Sequence, residues 1–133
     1  MVEPAVLVLG PPSDALAVLR ALQSYAVHAW SDELSRLIED PATLACADAV
    51  VVIDTSLTVE SATHSQIRQF EGPKLLAVAV PQSISETMAL VDDGFDVVLH
   101  WPALAEVVAA RAARMLRAPR LAGTAVQRRQ LAA

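Results

Sequence analysis

Short uncharged runs of branched residues alternate along this chain with segments of helical period. Ala5-Val6-Leu7-Val8-Leu9 is stopped by Gly10-Pro11-Pro12, the signature of a strand buried on both faces. Ser13 or Asp14 can then accept from the free amides of a helix carrying Leu16, Leu19, Leu22 and Tyr25 at three-residue steps. Val27-His28-Ala29-Trp30 reads as a second strand, and Ser31 as the cap of a short helix with Leu34, Leu37 and Ile38 on one side, ended by Asp40-Pro41. Ala49-Val50-Val51-Val52-Ile53-Asp54 repeats the buried-strand pattern and ends in a lone acid. A weak helical pattern follows from Thr58 to Phe70, and Leu75 to Val80 gives a fourth buried strand stopped by Pro81.

Ser83 and Glu86 have capping-box spacing and introduce a helix through Met88, Leu90 and Val91, with Gly94 placed to close it. Val97-Val98-Leu99-His100 is a short fifth strand. Pro102 stands at the favoured first position of a helix whose apolar stripe is Leu104, Val107, Val108 and Met115. Five such strand-helix units within residues 1–117 predict an α/β fold of the flavodoxin-like, doubly wound kind, a five-stranded parallel sheet with helices on both faces. Ligands of this plan bind at the carboxyl ends of the strands. The chain offers Gly10-Pro11-Pro12, Asp54-Thr55, Ala79-Val80-Pro81 and His100-Trp101 there, with one carboxylate among them.

Composition narrows the classes. A chain of 133 residues that is 54% hydrophobic and 19% charged is too apolar for disorder, fits one domain, and can bury about two thirds of its unfolded surface. It has no uncharged apolar run of bilayer length and no signal-peptide pattern, so no membrane partner is expected. Its single cysteine, Cys46, cannot form an internal disulfide and reads as a buried small apolar residue, which suits a reducing cytoplasm.

The net charge of −5 argues against nucleic acid as a partner of the domain itself. It conceals an inversion. Residues 1–102 hold Arg20, Arg36, Arg68 and Lys74 against 14 acids, whereas residues 103–133 hold six arginines against Glu106.

The whole pattern over residues 4–117 resembles the receiver domain of bacterial response regulators. That family places its phosphoacceptor aspartate at the end of the third strand, where Asp54 stands. Its fifth strand is approached through Gly-x-Asp and closes with Lys-Pro; here Gly94-Phe95-Asp96 and Pro102 match, and Trp101 takes the lysine position. The resemblance also implies a cis bond before Pro102, with the indole turned toward Asp54 and Gly10.

The departures are as informative. The adjacent acids that hold magnesium in the family fall on Gly10 and Pro11, and its phosphoryl-binding Thr or Ser falls on Val78 or Ala79. Of the phosphorylation apparatus only Asp54 is kept. Because phosphoryl transfer depends on cations that neutralise developing oxygen charge, the resemblance implies an atypical (pseudo-)receiver that acts independently of phosphorylation.

Each marked residue also has a plain reading. Asp54 can be a solvated or capping strand-end acid. Trp101 can cover the space left by the lysine rather than form a ligand shelf or partner surface. Gly10-Pro11-Pro12 lacks the spaced glycines and lysine of a phosphate loop and reads as a rigid turn. His28, His64 and His100 have no metal-ligand spacing, and no Ser, Cys or Asp has an activated-nucleophile context, so neither metal, cofactor nor catalysis is expected.

Arg111, Arg114 and Arg117 recur along the last helix, and Arg120, Arg128 and Arg129 continue the basic trend through 118–133, a tail or linker. That segment is a solvated edge, meets the acidic surface of a second copy, or leads to an output domain outside this chain.

The leading expectation is a signalling interaction module, homodimeric through the face of the helix at Met88, the fifth strand and the last helix, or bound to another signalling protein. The alternative is a small-molecule sensor that takes an apolar ligand at the former phosphorylation cleft. A dinucleotide- or flavin-binding enzyme has the least support, since no glycine fingerprint is present.

Overall fold

The structure is a computed structural model that describes residues 4–33, 41–54, 67, 69–78, 83–92, 94–102 and 104–117. Its elements are β1 (Ala5–Leu9), α1 (Pro12–Leu22), β2 (His28–Asp32), a 3₁₀ helix (Pro41–Cys46), β3 (Ala49–Asp54), β4 (Lys74–Val78), α2 (Ile84–Asp92), β5 (Val97–His100) and α3 (Ala105–Arg117). The five strands form one parallel sheet in the order β2-β1-β3-β4-β5. This is the doubly wound order, and it places the switch point between β1 and β3. No helix among the described residues is long and apolar enough to cross a membrane.

Strand alternation divides the core into two layers. Val6, Val8, Val51, Ile53, Leu75 and Ala77 face α1 and α3, together with Ala15, Val18, Leu22, Val108, Ala109 and Ala112 from those helices. Leu7, Leu9, Val50, Val52, Leu76 and Val78 face the other way, against Leu44, Ile67 and Phe95, with Leu90 of α2 at the margin.

The helices depart from the sequence reading in which face they bury. α1 begins on Pro12 with Pro11 as its N-cap and no side-chain cap from Ser13 or Asp14, because proline already supplies the backbone angle and has no amide to satisfy. Its buried stripe is Ala15, Val18 and Leu22, while Leu16 is exposed. A strict three-residue step lags the helix by about 60° each time, so Leu16, Leu19 and Leu22 cannot share one face. α3 starts at Ala105 rather than Pro102, and buries Val108, Ala109, Ala112 and Ala113 while Leu104 and Val107 face solvent. Ser31 lies in β2 and is no cap. The helix expected after it lies largely outside the described residues, as does most of the one expected at 58–70. Cys46 is exposed at the end of the 3₁₀ helix, not buried.

α2 is fixed at its ends. Glu86 N–H donates to Ser83 Oγ at 3.1 Å and Ser83 N–H to Glu86 Oε1 at 3.4 Å, closing the expected capping box. At the other end Gly94, with φ +109°, sends its N–H to Val91 O at 3.0 Å while Phe95 N–H reaches Leu90 O at 3.2 Å. This is a Schellman closure with its Leu90–Phe95 apolar partners. Lys74 at the start of β4 is buried, its ammonium donating to the Phe70 carbonyl beneath Gly94.

Two aspartates repeat one device. Asp48, just before β3, accepts from Ala5 N–H at 2.7 Å and returns its own N–H to Ala5 O at 2.7 Å. Asp96, just before β5, accepts from Lys74 N–H at 2.9 Å and donates to Lys74 O at 2.8 Å. Each clamps the start of a strand to its neighbour and so fixes the register. Asp48→Ala and Asp96→Ala are each expected to lose about 1 kcal/mol, additively because they share no partner. Urea unfolding of the single and double variants checks both the size and the additivity.

Candidate functional site

At the carboxyl pole β1 ends in Gly10, whose N–H donates to Asp32 O at 3.1 Å. Pro11 O accepts the first turn of α1, from Ala15 N–H at 2.9 Å. Asp54 closes β3 and is only 2% exposed. It lies in a lateral row with Val78 and His100, and Trp101 N–H donates to Val78 O at 2.8 Å. The structure therefore brings Gly10, Pro11, Asp54, Val78 and Trp101 to one end of the sheet. Ala79 lies outside the described residues.

The Trp101–Pro102 bond is cis, as the resemblance implies. The indole is buried, but within the layer beneath α1 and α3 that also holds Ile53 and Ala77. Alternation turns Asp54 to the opposite face with Val50 and Val52. The ring is thus a core residue, and the expectation that it lies over Asp54 gives way to packing. It no longer offers a shelf for a ligand.

Asp32 is the residue that sequence reasoning missed. Polar Ser31-Asp32 reads as a helix start, yet the strand runs on through both because Asp32 pairs in register with Leu9. It is half-buried, and alternation sets it on the same face as Asp54, one strand beyond β1. Only the pairing with β1 reveals it.

A magnesium site needs several oxygens around one point. Gly10, Pro11 and Val78 supply no side-chain oxygen, and among the described residues no group of three His, Cys, Asp or Glu could hold a metal. Backbone placement adds a second obstacle. A Cβ built on Gly10 would stand 2.9 Å from both Ile53 Cβ and Ile53 O. β1 and β3 approach so closely at this point that a side chain where the resemblance calls for an acid would require one of the strands to shift. The residues present do not fit the ion.

A different surface stands out on the far edge of the sheet. α2 has no buried residue. Ile84, Met88 and Val91, at i, i+4 and i+7, are 82%, 60% and 50% exposed. Across β5, Leu104, just before α3, and Val107 in it are 70% and 43% exposed. Asp92 stands one residue past Val91 beside the α2 stripe, and Arg111, Arg114 and Arg117 are exposed along α3. Arg120, Arg128 and Arg129 lie outside the described residues.

No family model matches the chain, and no curated sequence matches it significantly. Solved structures do. A signal receiver domain described as that of a LuxO repressor protein from Vibrio parahaemolyticus superposes with TM-score 0.72 at 16% identity, covering 87% of this chain and 92% of that one. An orphan response regulator of H. pylori gives TM-score 0.66 at 18% identity, with 86% and 97% covered. A pilus assembly-related protein from Burkholderia pseudomallei gives 0.64 at 14% identity, with 85% and 91% covered. At these identities the likeness establishes the fold, that of receiver domains.

Proposed function

We propose that this chain is a receiver-fold module of bacterial signal transduction that works through protein–protein contact, independently of phosphorylation, with a second copy docked on the face of α2, β5 and α3. The observation that carries this reading is the unpartnered apolar face: Ile84, Met88 and Val91 on one helix, Leu104 and Val107 at the start of the other. Contiguous exposed apolar surface marks a contact site. A two-fold pairing presents the same patch from both copies, and Asp92 at the edge of the α2 stripe is complementary to the arginines of α3. Independence from phosphorylation is supported by the side-chain-free position at Gly10. The sensor alternative draws less support, since Trp101 belongs to the core.

Sedimentation equilibrium tests the reading. The parent chain is expected to form a concentration-dependent dimer, and Met88→Glu with Val107→Glu to abolish it while leaving the circular dichroism spectrum intact. A parent that stays monomeric at every concentration, or a double variant that dimerises as well as the parent, sinks the proposal.

A further inference from the structure

A cleft of about 470 Å³ lies between α1, with the turn that follows it, and the first turn of α3. Ala17, Arg20, Ala21 and Ser24 border it at i, i+3, i+4 and i+7, so one face of α1, continued into its C-terminal turn, forms a wall. Tyr25 ends that wall. Its backbone is held on both sides, with Tyr25 N–H to Leu22 O at 3.0 Å and Val27 N–H to Tyr25 O at 2.8 Å. The residue is half-buried and packs against the core layer beneath α1 and α3. Ala105 and Glu106 supply the other wall.

The walls carry one cation and one anion. Arg20 stands in the last turn of α1 and Glu106 in the first turn of α3, where the dipole of its own helix favours each charge. Neither needs the other, and among the described residues no ion pair or hydrogen bond engages either head group or the hydroxyls of Ser24 and Tyr25. The cleft is therefore neutral in sum but polarised, with donors around Arg20, an acceptor at Glu106 and the methyls of three alanines between them. A polyanion such as a nucleotide would meet Glu106, and a polyamine would meet Arg20, so the charge pattern disfavours both. A ligand with one charge of each sign meets neither objection. The volume lies within the range of small-molecule sites, about 300–1,000 Å³.

We propose that this cleft binds a free α-amino acid with an apolar side chain. Its carboxylate takes the flat fork of the Arg20 guanidinium, with the Ser24 and Tyr25 hydroxyls as further donors, and its ammonium takes the Glu106 carboxylate. Its side chain lies on the methyls of Ala17, Ala21 and Ala105. The site is on the face of the sheet that α1 and α3 cover, whereas alternation turns Asp54 to the other face. It does not rest on the reading of α2, β5 and α3 as a docking surface.

The test titrates the isotope-labelled full chain with L-leucine, L-methionine and L-phenylalanine, followed by the amide signals of Tyr25 and Ala105. Saturable shifts are expected with at least one of the three. For the tightest binder, the analogue without its amine and the analogue without its carboxylate are each expected to bind about tenfold or more weakly. Two substitutions at exposed positions assign the contacts. Arg20→Gln should weaken the amino acid about tenfold and leave the amine analogue, which has no carboxylate, unchanged. Glu106→Gln should weaken it similarly and leave the carboxylate analogue unchanged. No saturable shift with any of the three amino acids overturns the site. An analogue that binds as tightly as its parent amino acid, or a variant that binds the amino acid as tightly as the parent chain, overturns the pairing of opposite charges on which the proposal stands.

Discussion

Phe95→Ala is expected to cost about 3–5 kcal/mol of unfolding free energy, the largest single loss in this fold. The ring is 1% exposed and heads the fully buried side chains by volume. It belongs to the buried layer of Leu7, Leu76 and Val78, against which Leu90 packs. Its removal leaves a cavity and also strips the Schellman closure of its apolar partner. α2 has no buried residue of its own, so that closure is a large part of what holds the helix to the sheet. Urea unfolding should show the midpoint falling with an unchanged slope. Phe95→Leu, which keeps most of the volume, should cost less than half as much. A loss under about 1 kcal/mol for alanine would mean that the site collapses freely and that α2 is held by something else.

Restoring the acid pair should fail, and expensively. Gly10→Asp places a Cβ against Ile53 Cβ and against a backbone oxygen, neither of which is the far end of a flexible side chain. It also brings a carboxylate into the buried layer that holds Ile53. Overpacking and burial of a charge together are expected to cost about 3 kcal/mol or more. Pro11→Asp, at a half-buried position outside the strand, should be far milder. The parent, treated with acetyl phosphate and magnesium, should take no label at Asp54 and gain no thermal stability from beryllofluoride. The Gly10→Asp, Pro11→Asp chain should do no better, because the cation would have to enter where the strands already touch. An Asp54-dependent label in the parent, seen by mass spectrometry and lost in Asp54→Asn, would refute independence from phosphorylation. Label appearing only in the double variant would show that the β1–β3 contact yields.

The sheet was legible because its inner strands are written as contiguous apolar runs. β1, β3, β4 and β5 stand within a residue or two of where Val and Leu cluster, and the capping box at Ser83 and Gly94 marks the ends of α2. The faces of the helices were not legible. α2 has two apolar sides, one with Leu90 and one with Ile84, Met88 and Val91, and a count of apolar residues cannot say which meets the sheet. In α3 Ala109, Ala112 and Ala113 are buried beside Val108, with Met115 and Leu116 packed against that layer, while Val107 lies outward, so size alone does not mark the inner face. Asp48 and Asp96 act across 43 and 22 residues of sequence, so their role as clamps has no local signal. At the carboxyl pole the missing acids could be read directly, but the closeness of Gly10 to Ile53 is a property of two strands and of neither sequence.

Lys74, buried against the Phe70 carbonyl, is the one lysine of the chain. Every other fixed positive charge on a side chain is a guanidinium. In the folded state, then, amine-directed chemistry such as acetylation or succinimide cross-linking finds little beyond the terminal amine, and a complex of this protein would escape the reagents most used to trap one. The fixed positive charge its side chains offer a partner is therefore that of arginine, whose flat and weakly hydrated head can lie on an apolar side chain while its edge meets a carboxylate.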